Sequence, residues 1–136
     1  MIIVDSSVWI DRFARRDTVQ TRAADTFMQD ERLLLIGDLI LTEVLQGTRD
    51  AAHFARVRVH LSLFDPIVIV DDRVAVEAAR FYQQLRGLGI TVRKTIDTLI
   101  ATRCILDHIP LLYADRDFDP FVVHCGLRSA LDLLPE

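Results

Sequence analysis

The chain has 136 residues, and its 16 Lys+Arg against 20 Asp+Glu give a formal net charge of −4. That length predicts one domain with its own core, and 51% hydrophobic with 26% charged residues excludes a disordered chain. The acidic balance excludes a protein that grips nucleic acid through an overall positive field, but not one whose negative charge is gathered in a metal site. In chain order, Ile2-Ile3-Val4 reads as a buried strand ending at Asp5, and Ser6 or Ser7 is the predicted cap of a short helix carrying Val8, Trp9, Ile10 and Phe13. Over residues 18–30, Val19, Ala23 and Phe27 recur at helical spacing. Leu33-Leu34-Leu35-Ile36 is a second apolar run, broken by Gly37-Asp38, which open a helix with Leu39, Ile40 and Val44 inward. A further helix is predicted over residues 50–61, and β-branched Ile67-Val68-Ile69-Val70 after Pro66 reads as a strand. Over residues 72–86, Val74, Ala78, Phe81, Tyr82 and Leu85 form one apolar stripe, ended by Gly87 and Gly89. Thr95 is the predicted cap of a helix over residues 96–107, and Pro110-Leu111-Leu112-Tyr113 reads as a strand that ends at Asp115. A short apolar tail, residues 126–134, follows. Apolar strands alternating with helices predict an α/β fold: a compact three-layer sandwich over residues 1–136, with a mainly parallel sheet flanked by helices. In such a sheet the reactive crevice lies beyond the carboxyl ends of the strands.

Cys104 and Cys125 form no C-x-x-C pair, so neither a disulfide framework nor a zinc site is indicated, and both are expected as buried thiols in a reducing compartment. The N-terminus turns acidic at Asp5, too early for the apolar core of a signal peptide. The longest apolar runs, about five residues, fall far short of the ~18 that a membrane span needs. A soluble, cytoplasmic protein with no membrane partner is expected.

Most of the acids fall at turns, helix starts or solvent faces. Four do not. Asp5 directly follows a strand, and Asp115 follows the last one. Glu43 shares the helix stripe of Leu39 and Ile40, and Asp97 that of Ile100, Ala101 and Cys104. A carboxylate on an apolar stripe faces inward, and an unpaired buried charge costs several kcal/mol or shifts its pKa. Three compensations are open: pairing with Arg inside the fold, the N-terminus of Asp97's own helix, or convergence on a hard divalent cation such as Mg²⁺ or Mn²⁺. Asp117 is a candidate fifth carboxylate, while Asp119, before Pro120, reads as a turn or cap residue.

These acids stand in four motifs: Ile3-Val4-Asp5-Ser6-Ser7, Thr42-Glu43-Val44-Leu45-Gln46-Gly47, Asp97-Thr98-Leu99-Ile100-Ala101 and Asp115-Arg116-Asp117-Phe118. In this order and at about this spacing, the sequence resembles the PIN-domain ribonucleases of the VapC type, toxins of toxin–antitoxin pairs, over nearly the whole chain. The resemblance implies a PIN-like parallel sheet, Mg²⁺ or Mn²⁺ as cofactor, and cleavage of RNA. It implies Asp5, Glu43, Asp97 and Asp115 as catalytic acids, with Asp5, Asp97, Asp115 and Asp117 at the metal and Ser6 as the supporting hydroxyl. It also implies a homodimer, and an antitoxin whose C-terminal segment lies across the active groove. One departure is Tyr113, where relatives carry Thr, Ser or Asn.

Metal-assisted phosphodiester hydrolysis needs an activated water and relief of the developing charge, and it requires no histidine. His53 and His60 read as solvent-facing, His108 as a helix-dipole partner, and His124 beside Cys125 makes no zinc site. Contacts to the RNA backbone fall to bases near the acids in sequence: Arg12, Arg15, Arg93, Lys94 and Arg116. Trp9 and Phe13 read as core. The alternative class is a receiver-like signalling domain that accepts a phosphoryl group on Asp and binds Mg²⁺ without nuclease activity. It expects an acidic pair after the first strand and a Lys after the last; Asp5 has no adjacent acid, and Lys94, the only Lys, lies before the last strand. Setting aside Asp5, Glu43, Asp97 and Asp115 leaves 16 acids against 16 bases. The net charge is then that of one metal site on an otherwise neutral body.

Overall fold

A computed structural model describes residues 1–135. Four strands, β1 (Ile2–Val4), β2 (Leu34–Gly37), β3 (Asp65–Ile67) and β4 (Leu111–Leu112), form one sheet of order β3-β2-β1-β4 in which every pair is parallel. Ile3 lies opposite Leu35 on one side and Leu111 on the other. Successive residues of a strand point to opposite faces. All three residues of β1 are fully buried, so both faces of the sheet are covered and the three-layer expectation holds.

The helices are α1 (Ser6–Phe13), α2 (Val19–Gln29), α3 (Asp38–Gln46), α4 (Ala51–Leu61), α5 (Asp72–Gly87), α6 (Thr95–Leu106) and α7 (Asp119–His124). Short 3₁₀ turns cover Arg116–Phe118 and Ala130–Leu133. In the core, Trp9 of α1, Phe27 of α2, Phe118 and Phe121 pack with the strand residues. The tail contributes Ser129, which bridges Leu111, so it borders the sheet beside β4. Asp50 and Asp71 cap α4 and α5 by accepting from the backbone N–H groups of His53 and Val74. At α2 the Thr18 and Thr21 side chains cap reciprocally.

The structure corrects several expectations. The third strand is Asp65–Ile67, not residues 67–70. Pairing stops because Ile69 finds side-chain partners: its N–H donates to Asp38 Oδ1 at 3.0 Å, and its carbonyl accepts from Arg103 Nε at 3.0 Å. Pro66, which lacks an N–H, is tolerated because β3 is an edge strand. The cap of α1 is Asp5 rather than Ser6 or Ser7, and α6 begins at Thr95 with Lys94 in the cap position and no side-chain cap bond. Ile10, Leu33 and Tyr82 are exposed, and Cys125 is half-buried where Cys104 is buried. His60 is not solvent-facing: its ring packs edge-on against Phe13 at 5.3 Å and lies near Phe64 at 5.9 Å. Among the described residues, no helix is long and apolar enough to cross a membrane.

Candidate active site

The sheet order reverses direction between β1 and β4, which places the crevice at their carboxyl ends. Asp5 leaves β1 there, its N–H donating to Leu112 O at 2.8 Å. As N-cap of α1, its Oδ2 accepts from Ser7 N at 3.1 Å and from Ser7 Oγ at 2.6 Å. Ser7 Oγ in turn accepts from Ala114 N at 3.1 Å, tying the cap to the chain that leaves β4. The other oxygen of Asp5, Oδ1, is buried and has no hydrogen-bond partner among the described residues. Burial drives the Asp5 pKa upward, opposed by the Ser7 bonds and reinforced by Asp115.

The remaining acids arrive from three other elements. Glu43 on α3 is half-buried, and Ser6 Oγ donates to its Oε1 at 3.3 Å. Its pKa is raised, first by burial and then by the Asp5 charge. Asp97, in the first turn of α6, is 4% exposed, and its Oδ2 has no partner among the described residues. Its pKa is pushed up to about 7, mainly by burial, then by Asp5, with smaller contributions from Asp115 and Glu43, while Lys94 lowers it. Asp115 caps the 3₁₀ turn through Oδ1, which accepts from Asp117 N at 2.9 Å. Oxygen atoms of Asp97, Asp115 and Asp117 all lie within 4.8 Å of one another. That is the close group; Asp5 and Glu43 adjoin it, as their effect on Asp97 records.

Of the compensations open to these acids, pairing with Arg is not used. Among the described residues no Arg pairs with Asp5, Glu43, Asp97, Asp115 or Asp117, and the one ion pair is Lys94 Nζ to Asp115 Oδ2 at 3.8 Å. The buried unpartnered oxygens and the all-carboxylate donor set suit a hard divalent cation. Asp119 lies apart from the close group, accepting from the Tyr113 hydroxyl at 2.8 Å. The departure at Tyr113 therefore serves the turn after β4.

The basic candidates separate. Lys94 reaches the acids; Arg116 and Arg93 are exposed near them in sequence; Arg12 and Arg15 sit at the far end of α1. Sequence reasoning missed Ser7 as the link between Asp5 and Ala114, although a hydroxyl two residues after a capping Asp is a signal for such a bond. It also missed Arg49, His53, Arg56 and His60, which line a cleft with Arg12 and Arg15.

Comparison with known proteins decides the family. The PIN domain model matches residues 2–121. The chain belongs to the PIN-domain family. This PIN domain is 29% identical over 133 residues to VapC ribonuclease Mb1587 of Mycobacterium bovis and equally to Ribonuclease VapC11 of Mycobacterium tuberculosis, covering 96% of this chain and 98% of each relative. Among solved structures, VapBC2 from Rickettsia felis bound to a promoter DNA fragment superposes with a TM-score of 0.74 at 14% identity, covering 95% of this chain and 97% of that one. FitAcB from Neisseria gonorrhoeae gives 0.73 at 16%, covering 98% and 100%. These structures establish that the PIN-like fold expected from the sequence is the fold of this chain. The receiver-like alternative is not favoured.

Proposed function

We propose that this PIN domain is a Mg²⁺- or Mn²⁺-dependent endoribonuclease that hydrolyses RNA phosphodiester bonds, acting as the toxin of a toxin–antitoxin pair in the cytoplasm. The observation that carries the reading is the pair of buried, unpartnered carboxylate oxygens, Asp5 Oδ1 and Asp97 Oδ2, inside a cluster of mutually repelling acids. The relatives named as VapC ribonucleases support the choice of RNA. A solved neighbour titled as a toxin–antitoxin complex supports an antitoxin partner. The reading adds that this chain is a homodimer and that a C-terminal segment of the antitoxin covers its groove.

Asp97, Asp115 and Asp117 would hold the cation, with Asp5 Oδ1 as the fourth carboxylate oxygen. A divalent cation bound there supplies charge neutralisation at the phosphate and lowers the pKa of water. Glu43 stands outside the close group, is held by Ser6 and has a raised proton affinity, which supports it as the carboxylate that would accept a proton from the attacking water. Ser7 fixes the orientation of the Asp5 carboxylate. Lys94, which pairs with Asp115 at the edge of the acids, would meet the substrate phosphate there.

The test is cleavage of RNA by purified protein. Activity is expected with Mg²⁺ or Mn²⁺, to be lost in chelator and in Asp97→Asn, with products carrying 5′-phosphate and 3′-hydroxyl ends. Full activity of Asp97→Asn, or products ending in cyclic phosphate, would show the mechanism to be wrong.

A further inference from the structure

The C-terminal end of α1 and the body of α4 enclose a cleft of about 540 Å³. Its charged lining is Arg12, Arg15, Arg49, Arg56, His53 and His60, and no acid lines it. In a chain of net charge −4 that concentration is not an average surface. Among the described residues Arg15, Arg49 and Arg56 form no ion pair. Two acids lie nearby, and the charge of one, Asp50, acts on Arg49 and Arg56 without forming an ion pair with either. Asp25 accepts from Arg12 Nε at 3.1 Å, and Asp50 caps α4, accepting from His53 N at 2.8 Å.

Both rings accept from the arginines around them. His53 Nδ1 accepts from the Arg49 N–H at 3.1 Å, so in the neutral ring the proton sits on Nε2. Arg12 Nη1 lies 3.2 Å from His60 Nε2, so that nitrogen accepts and the ring leaves Arg12 positively charged. Arg15 holds φ at 58°, the left-handed conformation usually given to Gly after a helix end, and so keeps a guanidinium where a smaller residue would fit more easily. Four guanidinium groups around one cleft repel one another, and an arriving anion relieves that repulsion. Their planar forks match the oxygens of a phosphodiester.

α1 sets the spacing to the acids. Asp5 caps its start, and Arg12 lies seven residues further on, about 10 Å along the axis. We propose that this cleft is a phosphate-binding subsite for the RNA strand, holding backbone phosphates a few nucleotides away from the bond presented to the acid cluster. The inference rests on the ribonuclease reading. The acids repel a polyanion close to the cut, so a strand gains its hold where basic groups outnumber acids, and this cleft is such a region within one helix length.

The experiment compares the wild-type chain with the double variant Arg15→Ala/Arg56→Ala on a labelled single-stranded RNA with Mn²⁺, across a salt series. Removing two guanidinium groups that neutralise phosphates is expected to raise KM roughly tenfold and to flatten the plot of log affinity against log salt by about 0.7 for each phosphate no longer neutralised. Arg15→Lys/Arg56→Lys keeps the charge and is expected to retain the salt slope, which separates missing charge from a damaged fold. If the wild type cleaves while the Ala variant keeps both KM and slope, the subsite is refuted and the ribonuclease reading stands. If the wild type neither binds nor cleaves RNA with either metal, the ribonuclease reading fails and the RNA subsite falls with it. If the Ala variant loses affinity for polyglutamate but not for RNA, the cleft takes protein carboxylates, and the proposal is overturned.

Discussion

Asp97→Asn gives the most direct measure of how much charge the site stores. In the folded chain burial and the neighbouring acids raise the Asp97 pKa from 3.8 to about 7. The folded state therefore binds this proton more tightly than the unfolded one, and stability is lost as pH rises between those two values. At about 1.4 kcal/mol per tenfold change, the full difference corresponds to about 4 kcal/mol above pH 7. Screening by salt and by water at the mouth of the site reduces this, so ~2 kcal/mol is expected. For a chain of this size that is a rise in Tm of roughly 6 °C for the variant. The assay is thermal melting of both proteins in chelator from about pH 3 to 8. The gain should be near zero where both states are protonated, grow through the range between the two pKa values, and level off above about 7. Adding Mn²⁺ should reverse the order, because only the wild type gains the binding energy of the cation. A variant less stable than wild type at about pH 8, or a gain that does not change with pH, would refute the picture of an uncompensated acid cluster.

Ser7→Ala removes the bridge between Asp5 Oδ2 and Ala114 N while leaving every acid in place. Metal affinity or activity should fall roughly 10- to 100-fold with little change in melting temperature, measured by calorimetry and by RNA cleavage. Gly37→Ala would bring a Cβ to 2.8 Å from Ile69 Cδ1, and Ile69 is fully buried. A loss of about 1–3 kcal/mol in denaturant unfolding is expected from that overpacking.

Strands β1 and β4 were legible because both are apolar runs buried on both faces, with an acid at or shortly after their ends. The edge strand β3 was not. Its boundary is decided by Asp38 and Arg103, which take the N–H and the carbonyl of Ile69 from 31 and 34 residues away in the chain. His60 was misread for a similar reason: on α4 alone its spacing from His53 suggests a wet face, and only the packing of Trp9, Phe13 and Phe64 around the ring covers it. At the site, periodicity placed Asp97 inward, and the structure has it 4% exposed. Glu43, read by the same rule, is only half-buried because it lies at the mouth beside Ser6. Spacing could not distinguish Ser6 from Ser7. One hydroxyl meets Glu43 and the other Asp5, and that choice depends on where α3 and the exit of β4 lie.

Both strand-end acids start a helical turn and use one oxygen to do so: Asp5 Oδ2 meets Ser7 N, and Asp115 Oδ1 meets Asp117 N. Capping holds each carboxylate in one orientation and leaves its second oxygen for the site. The two roles are separable by substitution. Serine caps a helix about as well as aspartate, whereas alanine costs about 1 kcal/mol. Asp5→Ser therefore keeps the start of α1 but removes the buried, unpartnered oxygen and its charge. It should melt at or above the wild-type temperature in chelator, about 1 kcal/mol more stable than Asp5→Ala, and should cleave no RNA with Mn²⁺. Equal stability of the Ser and Ala variants would mean that the Asp5 cap does not hold α1. Cleavage by Asp5→Ser would mean that the second oxygen of Asp5 is not needed at the metal, leaving the close group of Asp97, Asp115 and Asp117 to act without it.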